Sequence, residues 1–399
     1  MTRRVLYVSD STTVSGAEMV MLAHVDHFAA RGWSVHVFCH ERNSRLQHEL
    51  SNRACPFTPT AHYSRILLET TPNPRSLAHF AQSFRRIHRD LVTLMRTHGS
   101  DLVHAVSYPA SLYAASPASR LRVPAIWHEH NIKRLHAFNR PLFRYAARPC
   151  AWAIGPSSAV TRTLELAGIP KAKVRVVYNG VDLSRFDADQ RRAQAVRREL
   201  GLGERDRAVA LPGQMIPIKG HRFLVDVAPA ILEHVPAARF FFIGSLENPP
   251  YEEELRAAIR AAGLHDRFVF TGWRRDMPDV LRAMDAVVLA TTRPEPAALS
   301  LMETMAAARP IVAVRNGGTE EIVVDGETGL LFEPGDVRTA AAHLVHCLRD
   351  RSYSERIGRA GRARVEERFT LARHLDEIET LYRTAIAGAH TGRSATARL

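Results

Sequence analysis

Short runs of apolar residues alternate along the chain with longer segments in which apolar residues recur at helical spacing. The short runs predict strands, and the periodic segments predict amphipathic helices. In the first half, strands are predicted at residues 5–9, 35–39, 102–105, 125–128 and 152–155. A second set is predicted at 208–212, 239–243, 268–271, 286–289 and 311–314. Strands that alternate with helices in this way indicate an α/β protein with mostly parallel, doubly wound sheets.

Three longer segments have the periodicity of amphipathic helices. They are predicted at residues 18–31, 76–96 and 371–386, and the second carries arginines between its apolar positions. A polar stretch from about residue 184 to 206 separates the two sets of strands. We therefore predict two α/β domains, at residues 1–183 and 184–369. Residues 387–399 are polar and lack a period, so we predict a disordered tail there.

Composition narrows the class of protein. The 399 residues, 46% hydrophobic and 24% charged, are typical of a soluble enzyme with two or three domains. No apolar run approaches the roughly 18 residues that span a bilayer, and the first apolar run is too short for a signal-peptide core. The four cysteines show neither close pairing nor the spacing of metal ligands. We therefore expect a reduced, cytoplasmic protein.

The net positive charge of the chain arises entirely from its first half. Residues 1–185 contain 24 Lys and Arg against 11 Asp and Glu, a surplus of 13 that equals the net charge of the whole chain. A basic domain attracts anionic partners such as a lipid surface or a phosphorylated acceptor. The same charge could instead serve only solubility. Nucleic acid is a poorer match, because no aromatic residues are interleaved with the basic ones.

Two glutamates, Glu295 and Glu303, frame the start of a short helix predicted at residues 299–308. The first turn of a helix offers unpaired N–H groups and the positive end of its dipole, which together bind anions. Carboxylates, in contrast, accept hydrogen bonds from hydroxyl groups. A ligand that carries both phosphates and hydroxyls, such as a nucleotide sugar, matches this combination.

The spacing of the two glutamates, followed by a small-residue helix and a Gly-Gly turn, resembles the donor site of glycosyltransferase family 4. Other landmarks occur in the order of that family: Ser15-Gly16-Ala17-Glu18, His130 after the strand that follows Pro124, Asn179-Gly180-Val181-Asp182, and Lys219-Gly220. The resemblance covers residues 3–385. It implies the GT-B fold, in which two Rossmann-like domains face each other across a cleft. The first would bind the acceptor, the second the nucleotide sugar, and residues 370–386 would pack back on the first.

The resemblance also implies a role for individual residues. The diphosphate of the donor would rest on Lys219 and on the amides that begin the helix, Glu303 would hold the ribose and Glu295 the sugar. The donor-binding residues would be Gly16, Gln214, Lys219, Glu295, Leu299, Ser300 and Glu303, and the catalytic residues would be His130, Lys219 and Glu295. The transfer would retain the anomeric configuration and require neither a metal nor a cofactor besides the nucleotide sugar.

The pair His128 and His130 allows a second interpretation. Alternate residues on a strand share a face, so the two imidazoles could be ligands of one metal ion. The sequence offers no third ligand nearby. We therefore prefer contact of His130 with the sugar, and packing for His128.

Two departures from the family pattern concern the donor. The family usually has arginine where this chain has Gln214, and Phe-Gly where it has Ala297-Ala298. Glutamine donates hydrogen bonds but carries no charge, which weakens phosphate binding. The expected function is transfer of a sugar to a lipid-linked or cell-envelope glycan, by a cytoplasmic protein peripheral to the inner face of the membrane. The alternative is a catalytically impaired GT-B-like protein that serves as a binding partner in envelope glycan assembly.

Overall fold

The computed structural model describes residues 2–64, 74–135, 139–187, 190–246 and 248–396. The chain forms two compact units, one of Met1–Tyr178 with Leu375–Leu399, the other of Asn179–His374. The boundaries expected from the sequence were 183/184 and 369/370. Both units consist of a parallel sheet with helices between its strands, which confirms the predicted α/β, doubly wound fold class.

The first unit is built on the strands β1 (Arg4–Val8), β2 (Ser34–His40), β3 (Phe57–Thr60), β4 (Leu102–Ala105), β5 (Ala125–His128), β6 (Cys150–Gly155) and β7 (Val174–Val176). The helices between them are α1 (Gly16–Ala30), α2 (Ser44–Asn52), α3 (Pro74–His98), α4 (Tyr108–Leu121), α5 (Arg140–Ala146) and α6 (Ser158–Leu166). The strand order is β3-β2-β1-β4-β5-β6-β7, with every pair parallel.

The second unit begins with α7 (Gln190–Glu199). Its strands are β8 (Arg207–Pro212), β9 (Ala238–Ile243), β10 (Phe268–Gly272), β11 (Ala286–Leu289), β12 (Ile311–Val314) and β13 (Leu330–Phe332), in the order β10-β9-β8-β11-β12-β13. The helices are α8 (His221–His234), α9 (Pro249–Ala261), α10 (Met277–Ala283), α11 (Leu299–Ala306), α12 (Thr319–Ile322), α13 (Val337–Arg349) and α14 (Arg351–Arg368). The last helix, α15 (Leu371–Thr396), continues into the first unit.

Strand β1 shows why the sheets are buried on both faces. Its residues Val5, Leu6, Tyr7 and Val8 are all inaccessible to solvent. Leu6 and Val8 belong to an apolar cluster on one side of the sheet, and Val5 and Tyr7 to a cluster on the other side. A strand that contributes to two cores has a continuous apolar sequence, typical of parallel sheets covered by helices.

Helix α15 is fixed to the first unit by a buried polar contact as well as by apolar packing. The Tyr382 hydroxyl lies 2.8 Å from the Tyr7 hydroxyl and 2.5 Å from Nδ1 of His104. The Tyr382 ring stacks on Phe28 at a centroid distance of 4.7 Å. Ile378, one turn earlier, is fully buried in the same cluster. These contacts hold residues 375–386 against the sheet.

Helix α15 extends to Thr396 and so includes residues 387–396, where the sequence predicts a disordered tail. Three alanines at 387, 389 and 395 have the highest helix propensity, and extending an existing helix adds one hydrogen bond per residue without a new nucleus. Residues 397–399 of the predicted tail lie outside the described residues.

All four cysteines, Cys39, Cys55, Cys150 and Cys347, are buried and unpaired with one another. Burial raises the pKa of each thiol, for Cys55 to about 11. Within the described ranges, no helix combines the length and apolarity that crossing a membrane requires.

The second unit contains a buried titratable group, His221, at the start of α8. Its ring packs edge-on against Phe242 at 5.0 Å and is shielded from solvent. Burial, together with the nearby charge of Lys219, lowers the pKa of His221 to about 4. The folded protein therefore keeps this imidazole neutral, whereas the unfolded chain takes up a proton below about pH 6.5.

We expect the free energy of unfolding of the wild type to fall between pH 6.5 and pH 4, with about 3 kcal/mol of this loss due to His221. Between pH 6.5 and pH 4, the free energy of unfolding of His221→Phe should fall by about 3 kcal/mol less than that of the wild type. Urea unfolding at pH 7, 5.5 and 4 measures this difference. His265→Gln, which removes an exposed imidazole of the same unit, serves as the control. An unchanged pH dependence in His221→Phe would contradict the assignment.

Candidate functional site

The carboxyl ends of β8, β11 and β12 lie side by side in the second unit, because these strands are neighbours and parallel. The loops that follow them bring together two groups named from the sequence. Nζ of Lys219 donates a hydrogen bond to Oε2 of Glu295 across 3.1 Å. The two side chains are 24% and 12% exposed, so both remain accessible to a ligand.

Lys219 is positioned by a close approach of two backbone segments. It ends a short 3-10 turn, Pro217–Lys219, and is followed by Gly220 at a φ of +76°. A Cβ at Gly220 would lie 1.9 Å from the carbonyl oxygen of Ala290, at the end of β11. Only glycine therefore lets the Lys219 turn lie against the loop that carries Glu295.

Glu295 is held from the other side by Asn316-Gly317-Gly318, which follows β12. Its backbone N–H donates to Oδ1 of Asn316 at 3.2 Å, and its carbonyl accepts from the Gly318 N–H at 2.7 Å. A Cβ at Gly317, which has a φ of +58°, would lie 2.3 Å from the Glu295 carbonyl oxygen. The Gly-Gly turn is thus required by contact with Glu295.

Helix α11 begins at Leu299, as predicted, and no side chain caps it. Neither the Leu299 nor the Ser300 N–H donates a hydrogen bond to any residue that the structure describes. Both residues are partly exposed, so their N–H groups are available to donate hydrogen bonds to an anionic ligand. The preceding loop is anchored by Asn179, whose Nδ2 donates to the carbonyl of Ala297 at 3.3 Å.

The two alanines that replace Phe-Gly fit this loop without strain. Ala297 is buried, so its methyl group packs inside the unit. Ala298 has a φ of −65° and a ψ of 124°, a conformation open to every L-amino acid. The loop therefore adopts this conformation without a glycine at position 298.

Glu303 lies one turn further along α11 and is only partly exposed. Loss of hydration raises the pKa of its carboxyl group, and the nearby guanidinium of Arg185 opposes this rise. No donor among the described residues is hydrogen-bonded to the carboxylate. A partly desolvated carboxylate without donors is suited to accept hydrogen bonds from ligand hydroxyls.

Gln214 lies in the loop after β8, next to a second glycine contact. A Cβ at Gly244 would lie 1.8 Å from the carbonyl oxygen of Gly213, so the loops after β8 and β9 are also in contact. The Gln214 side chain is partly exposed. Arg293, an exposed residue, lies two positions before Glu295.

The remaining two candidates belong to the first unit. Gly16 begins α1, where the Glu18 carboxylate accepts hydrogen bonds from the N–H and Oγ of Ser15 at 3.0 and 2.6 Å. Burial raises the pKa of Glu18, and the contacts with Ser15 oppose this rise. Glu18 therefore has a structural role in capping the helix, and Gly16 leaves the adjacent backbone uncovered.

His130 follows β5 and is partly exposed, whereas His128 is buried at the end of that strand. The two rings are in contact at a centroid distance of 3.9 Å. The intervening Glu129 is buried, which raises the pKa of its carboxyl group, and Lys133 at 3.7 Å opposes the rise. Over the described ranges, no three His, Cys, Asp or Glu side chains are grouped as metal ligands.

Three polar residues around this site have contacts that the sequence did not predict, although Asn179 belongs to one of the landmarks named above. Asn316 forms three hydrogen bonds to the loop that carries Glu295, Asn179 anchors the entry to α11, and Arg185 influences Glu303. The only signal for Asn316 is its place directly before Gly317-Gly318. Its partners lie up to 25 residues away and could not be read from local pattern.

The chain matches known glycosyltransferase families over two long segments. Residues 14–185 match the family described as "Glycosyltransferase Family 4", and residues 206–350 match "Glycosyl transferases group 1". Sulfoquinovosyl transferase SQD2 of Arabidopsis thaliana is 27% identical over 325 residues, 77% of this chain and 59% of that protein. The lipopolysaccharide core biosynthesis mannosyltransferase LpsB of Rhizobium meliloti is 29% identical over 225 residues, 55% of this chain and 63% of that protein.

These alignments span about three fifths of the length of the two relatives. Among solved structures, Alr3699/HepE of Anabaena, in complex with UDP and glucose, superimposes with a TM-score of 0.82. That superposition covers 96% of this chain and 100% of HepE at 23% identity, which supports the same fold. The chain therefore belongs to glycosyltransferase family 4 and has the GT-B fold.

Proposed function

We propose that the protein is a retaining glycosyltransferase that moves a sugar from a nucleotide-diphosphate sugar to a hydroxyl of a lipid-linked or cell-envelope glycan. The observation that carries this proposal is the Lys219–Glu295 pair, which offers an ammonium and a carboxylate at one point. HepE binds UDP and glucose, which supports a nucleotide sugar as the donor class. The mannosyltransferase LpsB acts in lipopolysaccharide core biosynthesis, which supports an envelope acceptor.

The diphosphate of the donor would bind to Lys219 and to the first amides of α11. Lys219 donates one of its three hydrogen bonds to Glu295, which leaves two for phosphate oxygens. The Leu299 and Ser300 amides add two donors at the positive end of the α11 dipole. Gln214 would contribute a neutral donor in place of the arginine that is usual in the family.

The hydroxyl groups of the donor would bind to the two glutamates. Glu303 would accept hydrogen bonds from the ribose and Glu295 from the transferred sugar. When a phosphate approaches Lys219, the ammonium gains a second anionic partner, and the Glu295 carboxylate becomes freer to bind hydroxyl groups. Donor binding and sugar orientation would thus be coupled through one ion pair.

The transfer requires no nucleophile from the enzyme. The acceptor oxygen bonds to the anomeric carbon while the bond from that carbon to the phosphate oxygen breaks. The electron pair goes to the leaving phosphate, which also takes the acceptor's proton. Lys219 and the α11 amides would stabilise the negative charge that develops there. His130 would contact the sugar near the reacting carbon, and the backbone at Gly16 would approach the donor phosphates and the acceptor. We propose neither a metal nor a cofactor.

We expect nucleotide sugars to stabilise the purified protein against heat, because a ligand of the folded state shifts unfolding by mass action. A thermal-shift screen should include UDP- and GDP-sugars, with sugar 1-phosphates and free nucleosides as controls. A ligand at about 100 times its dissociation constant adds about 2.7 kcal/mol. The donors that stabilise the protein are then tested for slow hydrolysis.

Hydrolysis separates the proposal from the alternative suggested by Gln214 and Ala297-Ala298, a binding partner without transfer activity. Stabilisation with hydrolysis supports a transferase. Stabilisation without hydrolysis, at substrate concentrations that saturate the protein, supports the binding partner. A complete lack of response to every nucleotide sugar would contradict both.

The assignment of Glu303 to the ribose predicts a selective loss in Glu303→Gln. Affinity for the nucleoside diphosphate should fall about 10- to 100-fold, because a charged acceptor contributes about 1.5–3 kcal/mol. Affinity for inorganic pyrophosphate, which lacks ribose, should change less than twofold. Isothermal titration calorimetry measures both, and Glu327→Gln, an exposed glutamate of the same unit, is the control. Equal losses for both ligands would place Glu303 at the phosphates instead.

We also propose that α3 mediates salt-sensitive association with anionic membranes. Its buried face, with Ile87, Leu91 and Met95, packs on the sheet, while Arg85, Arg86 and Arg89 are exposed. Each arginine near an anionic surface contributes about 1 kcal/mol, and this attraction weakens as salt rises.

The protein should therefore co-sediment with anionic liposomes at low salt and be released at about 0.5 M salt. Replacing Arg85, Arg86 and Arg89 by glutamine should weaken binding on the order of 100-fold. A matched control replaces Arg192, Arg198 and Arg205, exposed arginines of the second unit, and so changes the net charge equally. Identical losses in both variants would show that only total charge matters.

A further inference from the structure

The loop that carries Glu295 lacks regular secondary structure of its own between β11 and α11. The side chain of Asn316 nevertheless forms hydrogen bonds with the backbone of alternate residues in this loop. Nδ2 of Asn316 donates to the carbonyl of Thr291 at 3.0 Å and to the carbonyl of Arg293 at 3.2 Å. Oδ1 of the same amide accepts from the N–H of Glu295 at 3.2 Å. Asn316 therefore forms hydrogen bonds at every second residue of the loop, the spacing at which a neighbouring β-strand forms them.

The asparagine amide is chemically required for all three bonds. It combines two N–H donors and one acceptor on a short stem, whereas aspartate has no donor and serine has a single hydroxyl. Asn316 is itself fixed, because its N–H donates to the Val314 carbonyl at 3.0 Å and its carbonyl accepts from Thr319 at 3.2 Å. The amide thus links the loop to the end of a buried strand.

The contacts converge on the peptide groups at both sides of Glu295. The N–H of Glu295 donates to Asn316, and the carbonyl of Glu295 accepts from the Gly318 N–H. Gly317 lies so close to the Glu295 backbone that a Cβ would not fit. With both peptide groups fixed, only side-chain rotation remains to Glu295. The direction in which its carboxylate leaves the backbone is therefore set by residues 316–318.

We propose that Asn316 is a positioning residue for catalysis, which acts by orienting Glu295 toward the transferred sugar rather than by touching the donor. This inference rests on the proposed function, because it needs Glu295 to bind the sugar. An error of about 1 Å in placing a substrate-orienting group costs on the order of 100-fold in rate. Phosphate binding depends on Lys219 and the α11 amides, so Asn316 affects it only indirectly, through the partly exposed Lys219–Glu295 ion pair. Such a pair contributes little free energy.

The test compares Asn316→Ala with the wild type on the nucleotide sugar that the wild type hydrolyses. We expect kcat/KM to fall about 10- to 100-fold, chiefly through kcat. The dissociation constant of the corresponding nucleoside diphosphate should change less than twofold. Asp350→Ala is the control, because it also removes a side chain that is hydrogen-bonded to its neighbours. The Asp350 carboxylate accepts hydrogen bonds from the Ser352 hydroxyl and the Tyr353 N–H at the start of α14. This control variant should leave kcat/KM within twofold of the wild type.

A double-mutant cycle with Glu295→Gln separates positioning from general loosening of the unit. If Asn316 acts through Glu295, Asn316→Ala should lower kcat/KM less than threefold in the Glu295→Gln background. A loss of the same size in both backgrounds overturns the inference. Asn316→Asp provides a second variant if Asn316→Ala unfolds, since it keeps the acceptor and loses both donors. It should show the same dependence on Glu295.

The result also distinguishes this inference from the proposed function. If the wild type neither binds nor hydrolyses any nucleotide sugar, the proposed function fails and the inference fails with it. If the wild type is active and Asn316→Ala retains full kcat/KM, only the inference is overturned.

Discussion

Both sheets are parallel and covered on both faces, and this constraint arranges the rest of the molecule. A parallel strand can be reached only through a crossover, and a sheet buried on both faces needs helices on both. The carboxyl ends of the strands then lie along one edge of each sheet, where the loops are not needed for the core. In the second unit this edge holds Lys219, Glu295 and Asn316, which follow the neighbouring strands β8, β11 and β12.

The polar groups at that edge contribute more to geometry than to stability. A partly buried ion pair such as Lys219–Glu295 gains Coulomb energy but loses hydration, and the two terms largely cancel. The neighbouring glycines have a sharper role. Gly220 and Gly317 occur where two backbones approach so closely that a Cβ would lie about 2 Å from a carbonyl oxygen. The loops therefore fit together in one arrangement, in which the lysine and the carboxylate meet.

The departures from the family pattern now have a structural setting. Ala298 stands where the family usually has glycine, yet its backbone has ordinary dihedral angles, so the loop does not depend on glycine at this position. Gln214 removes one positive charge beside a lysine already paired with a carboxylate. Arg293 is exposed in the same loop, to which Asn316 is hydrogen-bonded. This chain thus departs from the family pattern in one charge, at Gln214, whereas the backbone at Ala298 keeps ordinary dihedral angles.

Several elements were determined by the sequence alone, because they depend on contacts between near neighbours. The apolar runs gave strands such as β4, β5 and β11 at their predicted bounds, and helical periodicity gave α3 and the first half of α15. The short strands β3, β7 and β13 were missed. Each has only three or four residues, and Pro59 in β3 hides the pattern further, so their pairing with longer neighbours decides their conformation.

The paired glutamates, the lysine and the start of α11 were likewise evident from residue types and spacing. Only the tertiary structure decided which groups meet. Lys219 and Glu295 are 76 residues apart, and Glu295 and Asn316 are 21 apart, and both contacts exist because β8, β11 and β12 are adjacent in the sheet. Strand order is set by the packing of whole layers rather than by local sequence. The sequence therefore determined the chemical groups of the site, and the packing of the sheet determined their partners.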